Sequence, residues 1–208
     1  MTSVVEHSGD ADAALPRSLG ARLRTLREER GMSARSLAKA LGISASAVSQ
    51  IERDVMQPSV SRLIAITDAL GVPLAEVFGS NGSDAIARDE ASGSEFTGFA
   101  LTRAAQSPPV MLANGVTFRR LSPRSTAGLD FFESVYPPGS AAIGETDLFR
   151  HVGYEIGNVV SGELTIEFDD EVVVLAPGDS VSYPCSRPHR IRNASSRPAV
   201  ATWLIVHP

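Results

Sequence analysis

His151 and Glu155 stand four residues apart in the stretch FRHVGYEIGNVVSG, residues 149–162. On an extended strand, side chains alternate, so positions i and i+4 point to the same side. An imidazole and a carboxylate sharing a face can coordinate a metal, or can simply hydrogen-bond each other on a barrel wall. Gly157 falls on that same face, and with Gly153 it keeps the neighbourhood of the pair open. A second constellation is of another kind. Ser46, Ser49, Gln50 and Arg53 recur at i, i+3, i+4 and i+7, the spacing of one helix face. Short hydroxyls, one amide and one guanidinium suit a helix that reads a DNA groove. Gln pairs with adenine, Arg with guanine or phosphate, and Ser with base edges or phosphates. Any exposed helix face is polar, so the stripe gains meaning only from the elements around it.

Those elements are helical from Ser18 to Phe78. Leu19, Leu23 and Leu26 make one apolar stripe, Leu37, Ala38 and Leu41 a second, and Val48 and Ile51 a third. Leu63, Ile64, Ile66 and Leu70, then Leu74 and Val77, complete a predicted set of five helices. Breaks fall at Gly31, Gly42, Pro58 and Gly71. Ser33 and Ser44 are placed to cap the helices they precede, and Gly42 sits at the sharp turn between two of them, where a positive φ is favoured.

The segment LAKALGISASAVSQIERDVMQPSVSRLIAITDALGVPLAEVF resembles the helix-turn-helix domain of phage-repressor type (the XRE family), over residues 18–78. The resemblance implies a five-helix, lambda-repressor-like all-α domain whose helix from Ser44 to Arg53 enters the major groove. Ser44, Ala45, Ser46, Ser49 and Gln50 would then lie at the base edges, with Arg53 and Arg62 nearer phosphates. Asp54 departs from the family, which usually has glycine there. Aspartate tolerates the left-handed conformation moderately well, so the same fold is expected at a small stability cost. A domain with few base contacts implies a homodimer on a pseudo-palindromic double-stranded DNA operator.

Residues 1–16 have no period and read as a disordered tail. Residues 79–107 read as a linker, opening with the Gly/Ser/Asp-rich GSNGSDAIARDEASGS. Beyond it the period shifts toward two. VTFRRLS, LDFFESVY, YEIGNVV, ELTIEF, EVVVLA, SVSY, HRIRN and AVATWLIV are eight candidate strands separated by turn residues, which indicates an antiparallel sandwich or barrel over 108–208. Phe131, Phe132, Tyr136 and Trp203 are expected in its core or at a subunit interface, and Cys185 is expected to be packed.

FRHVGYEIGNVVSGELTIEF and VVVLAPGDSVSYPCSRPHRIRN are similar to the two motifs of the cupin domain, a double-stranded β-helix or jelly-roll barrel. That family's metal site commonly takes two histidines and a glutamate from the first motif and one histidine from the second. Phe149 stands where the leading histidine would be, and His151, Glu155 and His189 match the other three. Two imidazoles and a carboxylate would suit Zn²⁺, Fe²⁺ or Ni²⁺. Two alternatives stay open at this point: a metal on this trio, or a polar effector pocket without one. The expected pocket residues are His151, Glu155, His189, Gly157 and Arg119, the last from charge alone.

Composition excludes other classes. The chain has 208 residues, no apolar run long enough to span a membrane, and no basic-then-apolar start of a signal peptide. A single cysteine fits a reducing cytoplasm, and a bacterial, nucleoid-associated location is expected. The pI near 5.4 conceals an asymmetry. Residues 17–78 hold nine Lys/Arg against six Asp/Glu, whereas residues 81–208 hold ten against fifteen. The helical part can face DNA while the β part stays acidic. The order of the two modules resembles bacterial helix-turn-helix/cupin regulators, in particular repressors of amine and amino-acid catabolism. It implies a transcription regulator rather than an enzyme, whose β domain binds a small-molecule effector. The alternative is a non-haem Fe(II) enzyme similar to hydroxypropylphosphonic acid epoxidase, which shares the trio without the leading histidine.

Overall fold

The computed structural model describes residues 18–78, 98–142 and 148–208. The tail 1–16 and residues 79–97 of the linker lie outside these. Four α-helices form the first domain: α1 (Leu19–Glu29), α2 (Ala34–Leu41), α3 (Ala45–Glu52) and α4 (Val60–Leu70). Each begins on a serine. Ser18, Ser33, Ser44 and Ser59 accept a hydrogen bond from the backbone N–H three residues on, which satisfies one of the donors left over in a first helical turn. Gly42, at φ 64°, ends α2 in the left-handed conformation expected of it. Asp54 also adopts positive φ, 56°. Its carboxylate repays that strain by accepting from the Gly20 N–H at 2.8 Å and from the Ser18 hydroxyl, so the turn after α3 caps the start of α1.

The expected fifth helix is a 3₁₀ segment, Leu74–Phe78. Only five residues follow Pro73 in the described part of this domain, too few to repay α-helix nucleation. Leu23, Leu26, Leu37, Ala38, Val48, Ile51, Leu63, Ile66 and Leu70 make the core, all at or below 4% exposure. A charged pair is buried beside it. Arg27 donates to both oxygens of Glu52, at 2.5 and 3.0 Å, and through Nη1 to the Met32 carbonyl at 2.7 Å. This ties α1 to the end of α3.

Among its described residues the second domain has nine strands. The eight expected are β2 (Thr117–Arg120), β3 (Leu129–Tyr136), β4 (Tyr154–Ser161), β5 (Leu164–Phe168), β6 (Val172–Leu175), β7 (Ser180–Pro184), β8 (His189–Arg192) and β9 (Ala199–Val206). The ninth, β1 (Val110–Met111), is a two-residue edge strand too short to leave a periodic signal. All pairings are antiparallel, in a six-stranded sheet of order β1-β2-β3-β9-β4-β7 and a three-stranded sheet of order β6-β5-β8. Strand alternation sends Phe132, Tyr136, Val159, Ala201, Trp203 and Ile205 inward against Leu164 and Ile166. Trp203 donates its indole N–H to Ser134 at 2.8 Å, which settles the one polar atom of the largest core side chain.

The domains touch at two places. The buried Asp130 carboxylate accepts from the N–H groups of Leu74 and Ala75, at 3.2 and 2.8 Å, and lies 2.8 Å from His207 Nε2. Elsewhere Ser61 N–H donates to the Ala142 carbonyl at 3.2 Å, and Ala113 N–H to that of Pro58 at 2.9 Å.

Candidate functional site

The barrel interior brings three separated residues together. Glu155 projects inward from β4 and His189 opens β8. His151 reaches them by another route than expected: it precedes β4 and is not on a strand. Gly153, at φ 121°, turns the chain between them, where a Cβ would lie 2.8 Å from the Val206 carbonyl. The approach is fixed by backbone bonds. His151 N–H donates to Cys185 O at 3.0 Å, Cys185 N–H donates to Gly153 O at 2.9 Å, and Phe149 and His189 exchange a pair of bonds at 2.9 Å.

The three side chains are buried and their ligating atoms lie within 4.8 Å of one another. Glu155 Oε2 is 3.9 Å from His151 Nε2 and 3.6 Å from His189 Nε2. Each imidazole has its other nitrogen on a backbone carbonyl: His151 Nδ1 lies 3.2 Å from Val152 O, and His189 Nδ1 lies 2.8 Å from Arg187 O. A carbonyl only accepts, so Nδ1 carries the proton in both rings and both Nε2 lone pairs face the carboxylate. His151 Nε2 is buried with no hydrogen-bond partner. Tyr183 donates its hydroxyl to Glu155 Oε2 at 2.9 Å.

Burial sets the protonation. It holds the His151 imidazole down to about 4, with His189 nearby adding to the effect, and it lowers His189 in the same direction. Burial pushes Glu155 up to about 7, and the Tyr183 hydroxyl opposes that. The imidazoles are held in the neutral form that metal ligation needs, whereas Glu155 has to give up its remaining proton when an ion binds, so ion uptake releases protons near neutral pH. Three acceptors converging on one point call for a cation or a donor between them. The residues present therefore fit a divalent ion, with two nitrogens and one oxygen as donors.

Phe149 stacks on His151, ring centroids 5.4 Å apart, and forms an apolar wall where a fourth donor would stand. The rest of the cavity comes from Ile191 and Arg190 of β8, Ala142, and three residues of α4: Val60, Ser61 and Ile64. Its volume is about 30 Å³. Two expected pocket residues are elsewhere. Arg119 is on the outer face of β2, 2.9 Å from Glu133, because strand alternation turns Phe118 inward and its neighbour out. Gly157 shares the inner face of Glu155, but Trp203 covers it. A Cβ there would meet the indole at 2.3 Å, so this glycine admits a ring and does not line the cavity. Cys185 is fully buried and its thiol is pushed up to about 12 by burial, as expected of a packed residue. Sequence reasoning missed Tyr183, although its inward register on β7 opposite Glu155 could have been read. It also missed the α4 residues, for which no sequence signal exists.

On the helical domain, Ser44, Ser46 and Arg53 are exposed, and Ala45, Ser49 and Gln50 are half-buried along α3. Arg53 folds back, with Nε 3.0 Å from Ser49 O, at the helix end. Arg62 donates through Nη1 to Leu41 O at 3.0 Å and so closes the C-terminus of α2.

Comparison with known proteins agrees with both halves. The helix-turn-helix family model matches residues 23–77, and the cupin domain model matches residues 132–205. The chain is 29% identical over 178 residues to the HTH-type transcriptional regulator PuuR of Escherichia coli, covering 85% of this chain and 88% of that protein. It is 48% identical over 54 residues to the HTH-type transcriptional regulator RamB of Mycobacterium tuberculosis, covering 26% of this chain and 11% of that one. A crystal structure of an HTH_3 family transcriptional regulator from Vibrio cholerae shares the fold across 91% of this chain and 95% of its own, with TM-score 0.62 and 19% identity. Among the described residues, no helix is long and apolar enough to cross a membrane.

Proposed function

We propose, for a chain that belongs to the helix-turn-helix transcription regulators carrying a cupin domain, that its barrel binds a small-molecule effector on a divalent cation and thereby modulates operator binding in the bacterial cytoplasm. The observation that carries the cation is the convergence of two Nε2 lone pairs and a buried carboxylate, with one imidazole nitrogen unpartnered. His151, Glu155 and His189 would hold the ion, and the ion would supply an open coordination position for an effector oxygen or nitrogen. The chain's own part is to keep both imidazoles neutral, to fix their tautomers through Val152 O and Arg187 O, and to exclude bulk water with Phe149 and α4.

DNA reading falls to α3, with Ser44, Ala45, Ser46, Ser49 and Gln50 toward base edges and Arg53 and Arg62 toward phosphate. The helix is short, so two copies on one operator are needed for useful specificity. The outer face of the six-stranded sheet supports a homodimer. Phe131, Leu204 and Ile156 lie side by side in register, as do Leu129, Val206 and Tyr154, and Phe131, Ile156 and Tyr154 are 39–43% exposed. A contiguous apolar face of this kind on a chain that works in pairs fits a self-complementary contact.

The test is metal analysis of protein purified without chelator, alongside a DNA-shift experiment on the region upstream of its own gene. About one ion per chain, lost in His151→Ala, together with a shift by dimeric protein, is expected. A metal-free chain that still shifts DNA would sink the cation and leave the regulator. Stoichiometric iron with oxygen consumption and no DNA shift would favour the oxygenase alternative instead.

A further inference from the structure

We infer that α4 of the DNA-reading domain is a wall of the effector site, so that Ser61 and Ile64 help to select the effector, and an effector that grows toward α4 displaces it. The inference rests on the reading of the barrel as the effector-binding domain. Val60, Ser61 and Ile64 close the cavity over His151, Glu155 and His189. The cavity holds about 30 Å³ with α4 seated, and one water needs roughly 10–15 Å³. Two waters, or an ion and a water, fill the space. A metabolite with a carbon chain has to extend beyond it, toward the open side of the cavity or against α4.

Of the walls, α4 is the one able to yield. Phe149, His151 and His189 are tied to strands or to each other by backbone hydrogen bonds, and Glu155 and Ile191 are strand residues. At this place α4 holds the barrel by one backbone bond, Ser61 to Ala142, and otherwise by apolar contact. Its own domain grips it harder. Leu63, Ile66 and Leu70 are in the helical core, and Arg62 closes the end of α2. Displacing α4 therefore moves the helical domain as a body, with α3, and must also break the bonds of Asp130 to Leu74 and Ala75 and of Ala113 to Pro58. A large ligand and the seated α4 compete for the same volume, so the ligand favours the undocked arrangement by its differential affinity alone. DNA and effector then couple reciprocally through the position of one helix.

The test uses the full chain with Ser61→Cys and Ala142→Cys, whose backbone hydrogen bond sets a spacing that a disulfide spans, about 4.4–6.8 Å between Cα atoms. Native Cys185 is buried and stays in place. Near-complete cross-linking within minutes of mild oxidation is expected. Phe149→Trp fills the cavity from the barrel side, and Ile64→Trp fills it from α4. Each should slow cross-linking at least tenfold and shift affinity for the upstream DNA at least tenfold. A folded protein that does not cross-link overturns the inference. So does unchanged cross-linking in whichever filling variant keeps its cooperative barrel unfolding. Absence of bound metal with normal cross-linking would count against the cation reading alone, whereas normal metal content without cross-linking would count against the role of α4 alone.

Discussion

Replacing Glu52 by glutamine isolates the buried pair that holds the reading helix. The substitution keeps the side-chain volume and removes the anion, leaving Arg27 charged at 9% side-chain exposure. Breaking a buried ion pair from one side costs about 3–5 kcal/mol, because the remaining charge is desolvated without compensation. Two features of the site place this case at the lower end. Arg27 Nη1 keeps its bond to Met32 O, and Glu28, half exposed, lies 3.5 Å from Nη2 and offers a screened substitute. A loss of about 3 kcal/mol in the stability of the helical domain is therefore expected, read from the midpoint and slope of urea unfolding monitored by helical circular dichroism. The double change Arg27→Met with Glu52→Leu removes both charges and strands only the Met32 carbonyl. It should return to within about 1–2 kcal/mol of the parent. Glu52→Gln costing under 1 kcal/mol, or the apolar double costing as much as the single, would refute the reasoning.

Gln50→Ala should relax operator preference at one base pair by about 1–3 kcal/mol, measured across a randomised operator library, and unchanged relative affinities would remove Gln50 from base reading. Gly157→Ala drives a methyl into the Trp203 ring, so a loss of about 1–3 kcal/mol in barrel stability is expected, and an unchanged melting temperature would show that the indole can move aside at no cost. Cys185 should resist thiol reagents at pH 8 until the barrel unfolds, and fast stoichiometric labelling of folded protein would contradict its burial. Because burial raises this thiol above its unfolded value of about 9, its contribution is fully present below pH 9 and is lost as pH climbs toward about 12, a decline that Cys185→Ala should flatten in alkaline unfolding curves.

Much of the architecture is legible in the chain because it is local. Serine caps, the glycine after α2 and the period of two in β2 to β9 act within a few residues, and each appears where the pattern places it. Asp54 is a tolerable substitute for glycine by sequence, and the structure adds why it is held: its carboxylate caps α1, which only the meeting of two helix ends can show. The trio of His151, Glu155 and His189 converges as the motif resemblance implied, yet the on-strand argument for His151 was the wrong mechanism, since a glycine turn delivers it. Arg119 is placed by charge alone, and charge does not reveal that its guanidinium finds Glu133. The α4 wall of the cavity could not have been read at all. Ser61 and Glu155 are joined by no period or motif, and their proximity follows from how two independently patterned domains dock.

Trp203 carries a practical consequence. It is the chain's only tryptophan, it lies against Gly157, and Gly157 is two residues from Glu155 on the same face of β4. The tryptophan fluorescence of the whole protein therefore comes from one buried indole, bonded through its N–H to Ser134. Quenching by a paramagnetic ion such as Cu²⁺ or Co²⁺ would report occupancy of the trio directly, and the emission of the helical domain would not have to be subtracted because it has none. The protein supplies its own optical gauge for the site that it is proposed to use.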